Sequence, residues 1–218
     1  MNWPDDFVNK IICGDCLEVM KDMPDKCVDL VLTDPPYNSK NIGPNKKEYS
    51  RGQMQLPQNE YKRFCRSWFK EVKRLSERIV FSPGIANMCY YPQPIWSICW
   101  HKSSSVSFNR FGGFNVWEPI FIFGKLPKGK RIPRDMVRYE PSNFSVGPEK
   151  DHPCPKNFGL WQWLLDKFSI ESDLIFDPFL GSGTTAEACK LLKRNFIGIE
   201  INPDYCKIAE ERLAQGVL

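Results

Sequence analysis

The chain has 218 residues, 42% apolar and 26% charged, with 30 Lys and Arg against 26 Asp and Glu for a formal net charge of +4. These values are ordinary for a soluble globular protein and suit one domain with a substantial core. No uninterrupted apolar run approaches the roughly 18 residues of a membrane span. The acidic start Met1-Asn2-Trp3-Pro4-Asp5-Asp6 also lacks the basic-then-apolar layout of a signal peptide, so the chain reads as cytoplasmic.

In chain order, residues 10–13 read as a short buried strand ending at Gly14-Asp15, followed by a polar helical stretch. Residues 27–32 are an apolar strand stopped by Asp34-Pro35-Pro36. Residues 38–58 are polar, rich in Asn, Gly, Lys and Gln, and without an apolar period, which predicts a long loop of the kind that often carries function. Phe64, Trp68, Phe69, Val72 and Leu75 recur at helical spacing and predict a core-facing helix over 59–76. A strand over 78–81 ends at Pro83-Gly84, and strands over 96–100 and 119–123 are expected to pair across Gly112-Gly113. Residues 125–150 are Pro-containing, basic and aperiodic, and read as an irregular insertion. The last third alternates between helix 160–168, strand 174–176, helix 184–193, strand 196–199 and a helix from 204 to about 214 opened by Asn202-Pro203. Such alternation predicts an α/β fold, a doubly wound and mostly parallel sheet wrapped by helices, over a single domain spanning 1–218.

Nine cysteines, an odd number scattered through these segments, suit reduced thiols better than a disulfide framework. Cys13 and Cys16 form a C-x-x-C that would suit zinc or redox chemistry. No second pair follows and both His101 and His152 are remote in sequence, so the two read as small apolar fillers at a strand end and no metal is expected.

Two strand ends carry chemistry. The first, Asp177-Pro178-Phe179-Leu180-Gly181-Ser182-Gly183-Thr184-Thr185, lies between a strand and a helix. Its glycines let the backbone turn and approach a ligand at the helix N-terminus. A phosphate loop is disfavoured because no Lys follows the second glycine. Gly181-x-Gly183-x-x-Ala186 fits a loose dinucleotide pattern, but Asp177 would repel a pyrophosphate and suits an ammonium instead. A structural glycine-rich turn is the third alternative. Glu200, ending the next strand, can accept hydrogen bonds from ribose hydroxyls. The second motif is Thr33-Asp34-Pro35-Pro36-Tyr37. Two prolines fix the backbone so that a carboxylate and a main-chain carbonyl point the same way, which suits the two hydrogens of an amino group. Tyr37 adds a flat face for a ring.

Together these motifs resemble the amino-methyltransferases of DNA, the N6-adenine and N4-cytosine family, in the permuted class whose catalytic motif precedes the cofactor motif. Gly14-Asp15-Cys16 resembles the family's acidic contact to the cofactor adenine, and Trp100-His101-Lys102 with Trp117-Glu118 and Phe123-Gly124-Lys125 resembles its late strand pair. His152-Pro153 with Lys156 resembles the element before the cofactor strand, although Asn157 stands where the family has Pro. The resemblance implies a Rossmann-like methyltransferase fold with a late antiparallel strand pair, circularly permuted. The strand at 10–13 should then lie beside 196–199, the termini should be close, and the strands ending at Asp34 and Asp177 should be neighbours.

It also implies S-adenosyl-L-methionine as cofactor and double-stranded DNA as substrate, with methyl transfer to the exocyclic amine of a flipped base. Asp34, Pro35, Pro36 and Tyr37 would be catalytic. Asp15, Lys156, Asp177, Pro178, Phe179, Gly181, Ser182, Gly183, Thr184 and Glu200 would bind the cofactor. Adenine N6 is favoured over cytosine N4 because the N4 members more often carry Ser where Asp34 stands. Methylation of RNA or of a protein amide, and a non-catalytic nucleic-acid-binding module, are the competing classes. The segment available for target recognition is only about 125–150. Lys128, Lys130, Arg131 and Arg134 are therefore expected, with loop 38–58, to hold duplex phosphates. Either the recognised sequence is short or a second subunit, as in a homodimer, completes the reading.

Overall fold

A computed structural model describes residues 1–38, 54–103, 109, 111–140 and 157–215. The elements in chain order are β1 (Lys10–Cys13), α1 (Cys16–Val19), β2 (Leu30–Thr33), α2 (Gln58–Leu75), β3 (Ile79–Phe81), β4 (Trp96–His101), β5 (Trp117–Phe123), β6 (Met136–Arg138), α3 (Phe158–Phe168), β7 (Leu174–Asp177), α4 (Thr184–Leu191), β8 (Asn195–Glu200) and α5 (Pro203–Ala214). The strands form one sheet in the order β1-β8-β7-β2-β3-β5-β4-β6. The first five are mutually parallel, β5 runs antiparallel to β3 and β4, and β6 returns parallel to β4.

Side chains alternate across this sheet because a strand's period is two. Val31, Ile79, Phe81, Phe176 and Ile197 face a cluster built with Trp68, Phe69 and Val72 of α2. Leu30, Leu32, Val80, Ile175 and Phe196 face the other cluster, with Leu160, Trp161 and Leu164 of α3 and Ala186 and Ala188 of α4. Both faces of the central strands are thus covered, which explains why they read as continuous apolar runs. The expected neighbours are found: Lys10 aligns with Ile197 across β1 and β8, and Val31 aligns with Phe176 across β2 and β7. At the carboxyl ends of the parallel strands this leaves Asp34 and Asp177 adjacent, at the switch point where open sheets bind ligands. Residues 216–218 lie outside the described residues, so the closeness of the two termini is not addressed, although α5 packs on β1.

Three elements differ from the sequence reading. The segment 125–150 is not wholly irregular, since Met136–Arg138 forms the edge strand β6 against β4. Only Val137 of its three residues turns inward, so no apolar period marks it. Residues 85–90 form an unanticipated 3-10 turn, Ile85–Tyr90. Cys13 is exposed and only Cys16 of the C-x-x-C pair fills the core; all the cysteines among the described residues are free. Among the described residues no helix is long and apolar enough to cross a membrane.

Gly183 determines how closely α5 approaches the cofactor-motif loop. It sits at φ +88, and a Cβ there would stand 2.8 Å from the Cβ of Ala209 in α5. Strain and overpacking act together at this position. Gly183→Ala should lower unfolding free energy by about 1–3 kcal/mol in urea denaturation. A wild-type midpoint would show that α5 does not press on this loop.

Candidate active site

The carboxyl end of β7 is organised around one buried carboxylate. Asp177 is 3% exposed. Its Oδ1 accepts the Thr33 hydroxyl at 2.6 Å and the Phe179 N–H at 3.0 Å, and its Oδ2 accepts the Thr185 hydroxyl at 2.5 Å. Thr185 in turn accepts the Trp161 indole N–H at 2.8 Å. One side chain thereby links β2, the glycine loop, α4 and α3. Burial pushes the Asp177 carboxyl up to about 6, with Asp34 nearby acting in the same direction, against the lowering effect of these hydrogen bonds. The ammonium contact expected from the sequence meets competition here, because three protein donors already engage the carboxylate.

The loop after Asp177 bends back over β8. Gly181 N–H donates to Glu200 Oε2 at 2.8 Å, while Glu200 Oε1 accepts the Asn202 N–H at 2.8 Å. Burial raises the Glu200 carboxyl above its usual range. Leu180 N–H donates to the Ile199 carbonyl at 2.8 Å, which presses the loop onto the strand. Pro178, Ser182 and Thr184 are buried in this turn, whereas Phe179 is half-buried and reaches the rings of Phe64 and Trp68 on α2. Beside them Gly14 N–H donates to the Glu200 carbonyl, and exposed Asp15 caps α1 by accepting the Leu17 N–H at 2.8 Å. Asp15, Asp177 and Glu200 thus meet along one edge, as the sequence predicts. Three carboxylates suit a cationic ligand and disfavour a pyrophosphate. Lys156 lies outside the described residues.

At the end of β2, Asp34 Oδ1 accepts the Tyr37 hydroxyl at 2.7 Å. That hydroxyl is also 3.2 Å from Ser82 Oγ and 3.3 Å from the Ser82 carbonyl. Ser82 Oγ donates to Glu118 Oε2 at 3.4 Å, and Glu118 pairs with Lys102, whose ammonium lies 4.0 Å from the centre of the Trp100 ring. Burial raises the Tyr37 phenol well above its usual value, and Asp34 and Glu118 add to this. Tyr37 therefore stays protonated and continues to donate to Asp34. Its ring lies against Gly84, where a Cβ would come within 3.2 Å. Tyr61 donates to the Pro36 carbonyl at 3.0 Å, and Pro35 is buried. Immediately beyond Tyr37, the Asn38 side chain exchanges two hydrogen bonds with the Leu56 backbone, each 2.9 Å. The neck of loop 38–58 is thus pinned at the site, while 39–53 lie outside the described residues.

The described part of the basic segment, 125–140, leaves the sheet at the end opposite Asp34. β5 runs away from the catalytic end, so Gly124 lies beside Glu77, ahead of β3. Lys130 pairs with Asp166 at 3.0 Å near the carboxyl end of α3. Lys128, Lys130, Arg131 and Arg134 therefore sit in the connection that starts at the far end of the sheet, and chain direction, which no local pattern reveals, is what puts them there. Thr33, Ser82, Thr185 and Trp161 join the site although the sequence reading gave them no role. Thr33 is discoverable in principle, since it is the last residue of the strand that delivers Asp34.

Comparison with known proteins agrees with this geometry. The N6/N4 DNA methylase family profile matches residues 92–211. The Type II methyltransferase M.HinfI of Haemophilus influenzae is 30% identical, covering 96% of this chain and 69% of that protein. M.HpaI of Haemophilus parainfluenzae is 28% identical, over 94% of this chain and 74% of that protein. Among solved structures, the PvuII DNA methyltransferase (cytosine-N4-specific) superposes with a TM-score of 0.71 at 20% identity, covering 93% of this chain and 85% of that one. The chain belongs to the N6/N4 DNA methylase family.

The buried carboxyl gives this site a pH signature. Between 3.8 and about 6 the folded chain holds a proton on Asp177 that the unfolded chain has released. The stability contributed by that protonation is complete below the lower value and is lost as pH rises through the upper one. Asp177→Asn removes the titration. From about pH 4 to about pH 7 the wild-type chain should therefore lose about 2.4 kcal/mol of unfolding free energy relative to the variant, read from urea titrations at each pH. Parallel profiles would show that Asp177 does not titrate in this range.

Proposed function

We propose that the chain methylates the N6 amine of an adenine flipped out of double-stranded DNA, with S-adenosyl-L-methionine as methyl donor. The observation that carries this reading is the position of Asp34. It stands at the end of β2, next to the glycine-loop end of β7, with Tyr37 bonded to one carboxylate oxygen. The acidic edge formed by Asp15, Asp177 and Glu200 fits a cofactor that carries a sulfonium and an ammonium. When bound, that cofactor supplies an activated methyl group.

The chain's own residues prepare the acceptor. An exocyclic amine is a poor nucleophile because its lone pair is delocalised into the ring. Asp34 and the Pro35 carbonyl, accepting its two hydrogens, favour a pyramidal nitrogen and stabilise the charge that grows on it. Tyr37 holds Asp34 in orientation through its hydroxyl and offers the ring side away from Gly84 to the flipped base. Stacking there offsets part of the few kcal/mol that extrusion costs. The surplus proton leaves through Asp34 or water. Aspartate at position 34 supports adenine over cytosine by family habit. The duplex is held at the catalytic edge, by the rim around loop 38–58 and the late strand pair, since Lys128, Lys130, Arg131 and Arg134 connect elements at the far end.

Asp34→Ala should reduce transfer of label from S-adenosyl-L-methionine to duplex DNA by at least about a hundredfold, with cofactor affinity by calorimetry within a few-fold of wild type. Nucleoside mass spectrometry of the wild-type product should give N6-methyladenine. N4-methylcytosine would correct the base, and label in RNA or protein alone would overturn the substrate. Changing Lys128, Lys130, Arg131 and Arg134 together to Ala should leave the slope of log affinity against log salt nearly unchanged. A slope shallower by about 0.9 for each removed charge would return these cations to the DNA interface.

A further inference from the structure

The late strand pair ends in a shaped hairpin on the catalytic edge. β4 and β5 remain paired up to His101 opposite Trp117, and Lys102 N–H donates to the Val116 carbonyl at 2.7 Å one step further on. The turn above is closed by Asn109. Its N–H donates to the Gly113 carbonyl at 2.7 Å, and its side-chain oxygen accepts the N–H groups of Phe111 at 2.9 Å and Gly113 at 3.1 Å. These bonds fix the turn and leave Phe111 with 99% of its surface exposed, with Phe114 at 57% and Val116 at 41% in the strand-ward run that follows. Burying a phenylalanine stabilises a fold by about 1.5–3 kcal/mol, so folding alone gives no reason to fix this ring in water.

The base of the hairpin joins the catalytic residues. Glu118 on β5 accepts from Ser82, and Ser82 lies within 3.3 Å of the Tyr37 hydroxyl that donates to Asp34. The hairpin is thus built outward from the place where an extruded base would be received.

We propose that Phe111 is a wedge that enters the DNA base stack beside the flipped nucleotide and fills the gap that nucleotide leaves. This rests on the reading of the chain as a methyltransferase of a flipped base. Extrusion breaks stacking on both sides of the target. An apolar ring inserted between base steps restores part of that contact and holds the duplex open. A single planar ring carried on a compact turn fits a gap between stacked bases.

The test compares single-turnover methylation by wild type, Phe111→Ala and Phe111→Leu on two duplexes that carry the methylated sequence. In one the target base is normally paired, and in the other it faces an abasic site and is already loosely held. Phe111→Ala should slow methylation of the paired duplex by about tenfold or more while staying within about twofold of wild type on the abasic one, and Phe111→Leu should recover most of the loss. Equal slowing on both duplexes, or no slowing on either, overturns the wedge. So does a halved particle mass by light scattering without discrimination between the duplexes, which would make the tip a contact between copies of the chain. A wild-type chain that methylates neither duplex removes the methyltransferase reading, and the wedge with it.

Discussion

A carboxylate taken out of water is costly unless donors replace its hydration, and the arrangement at the end of β7 follows from that constraint. Asp177 meets it with Thr33, Thr185 and the Phe179 N–H. Each donor belongs to a different piece of the site. Thr33 belongs to the strand that delivers Asp34, Phe179 to the loop that turns toward Glu200, and Thr185 to the helix that starts after the glycines. The relative placement of the two strand ends is therefore set by one hydrogen-bonded centre, and the Trp161 indole adds α3 to it. Alignment of two reactants is the larger part of what such a site supplies, so a rigid link between their two strand ends is of direct catalytic value.

A second consequence is electrostatic. Asp15, Asp34, Asp177 and Glu200 share the same sheet edge; burial raises the Asp177 and Glu200 carboxyls, and Asp34 adds to this at Asp177. The structure answers with backbone donors at Glu200 and Asp15 and hydroxyl donors at Asp34 and Asp177. Cationic Lys102 is held off the acceptor, behind Glu118, with its ammonium over Trp100. The edge stays acidic where a cationic cofactor would bind and is balanced one layer behind.

The strand-end motifs were legible because they combine backbone chemistry with position. Asp34-Pro35-Pro36-Tyr37 and Asp177 through Thr185 interrupt apolar runs with residues that fix or free the backbone, and both fall at carboxyl ends of parallel strands. Strand adjacency was legible only through the family resemblance, which requires the two ends to serve one reaction. The third strand end was not. Ser82 follows a three-residue strand and touches Tyr37 only through tertiary packing, and nothing local distinguishes it from an ordinary turn serine. The edge strand β6 hid because a single inward residue makes no period. The position of Lys128, Lys130, Arg131 and Arg134 was opaque for a deeper reason. A basic cluster in sequence states charge, whereas its usefulness to DNA depends on the end of the sheet it occupies, and that is decided by whether β5 runs up or down.

The antiparallel late pair bears on how a chain with so short a recognition segment engages DNA. In a parallel unit the connection after each strand reaches the catalytic edge and the return crosses a face as a helix. Here β4 runs toward that edge and β5 runs back, so the link between them leaves and re-enters the sheet at the edge that holds Asp34. The same reversal carries the basic segment to the opposite end. One topological choice thus leaves residues 109–116 at the edge that holds Asp34 and starts 125–134 at the opposite end. Among the described residues, the edge that holds Asp34 presents an exposed Phe111 and a loop neck pinned by Asn38 against Leu56. If Phe111 acts as the proposed wedge, the cost of opening the duplex and the means of offsetting it would both fall at the edge that holds Asp34.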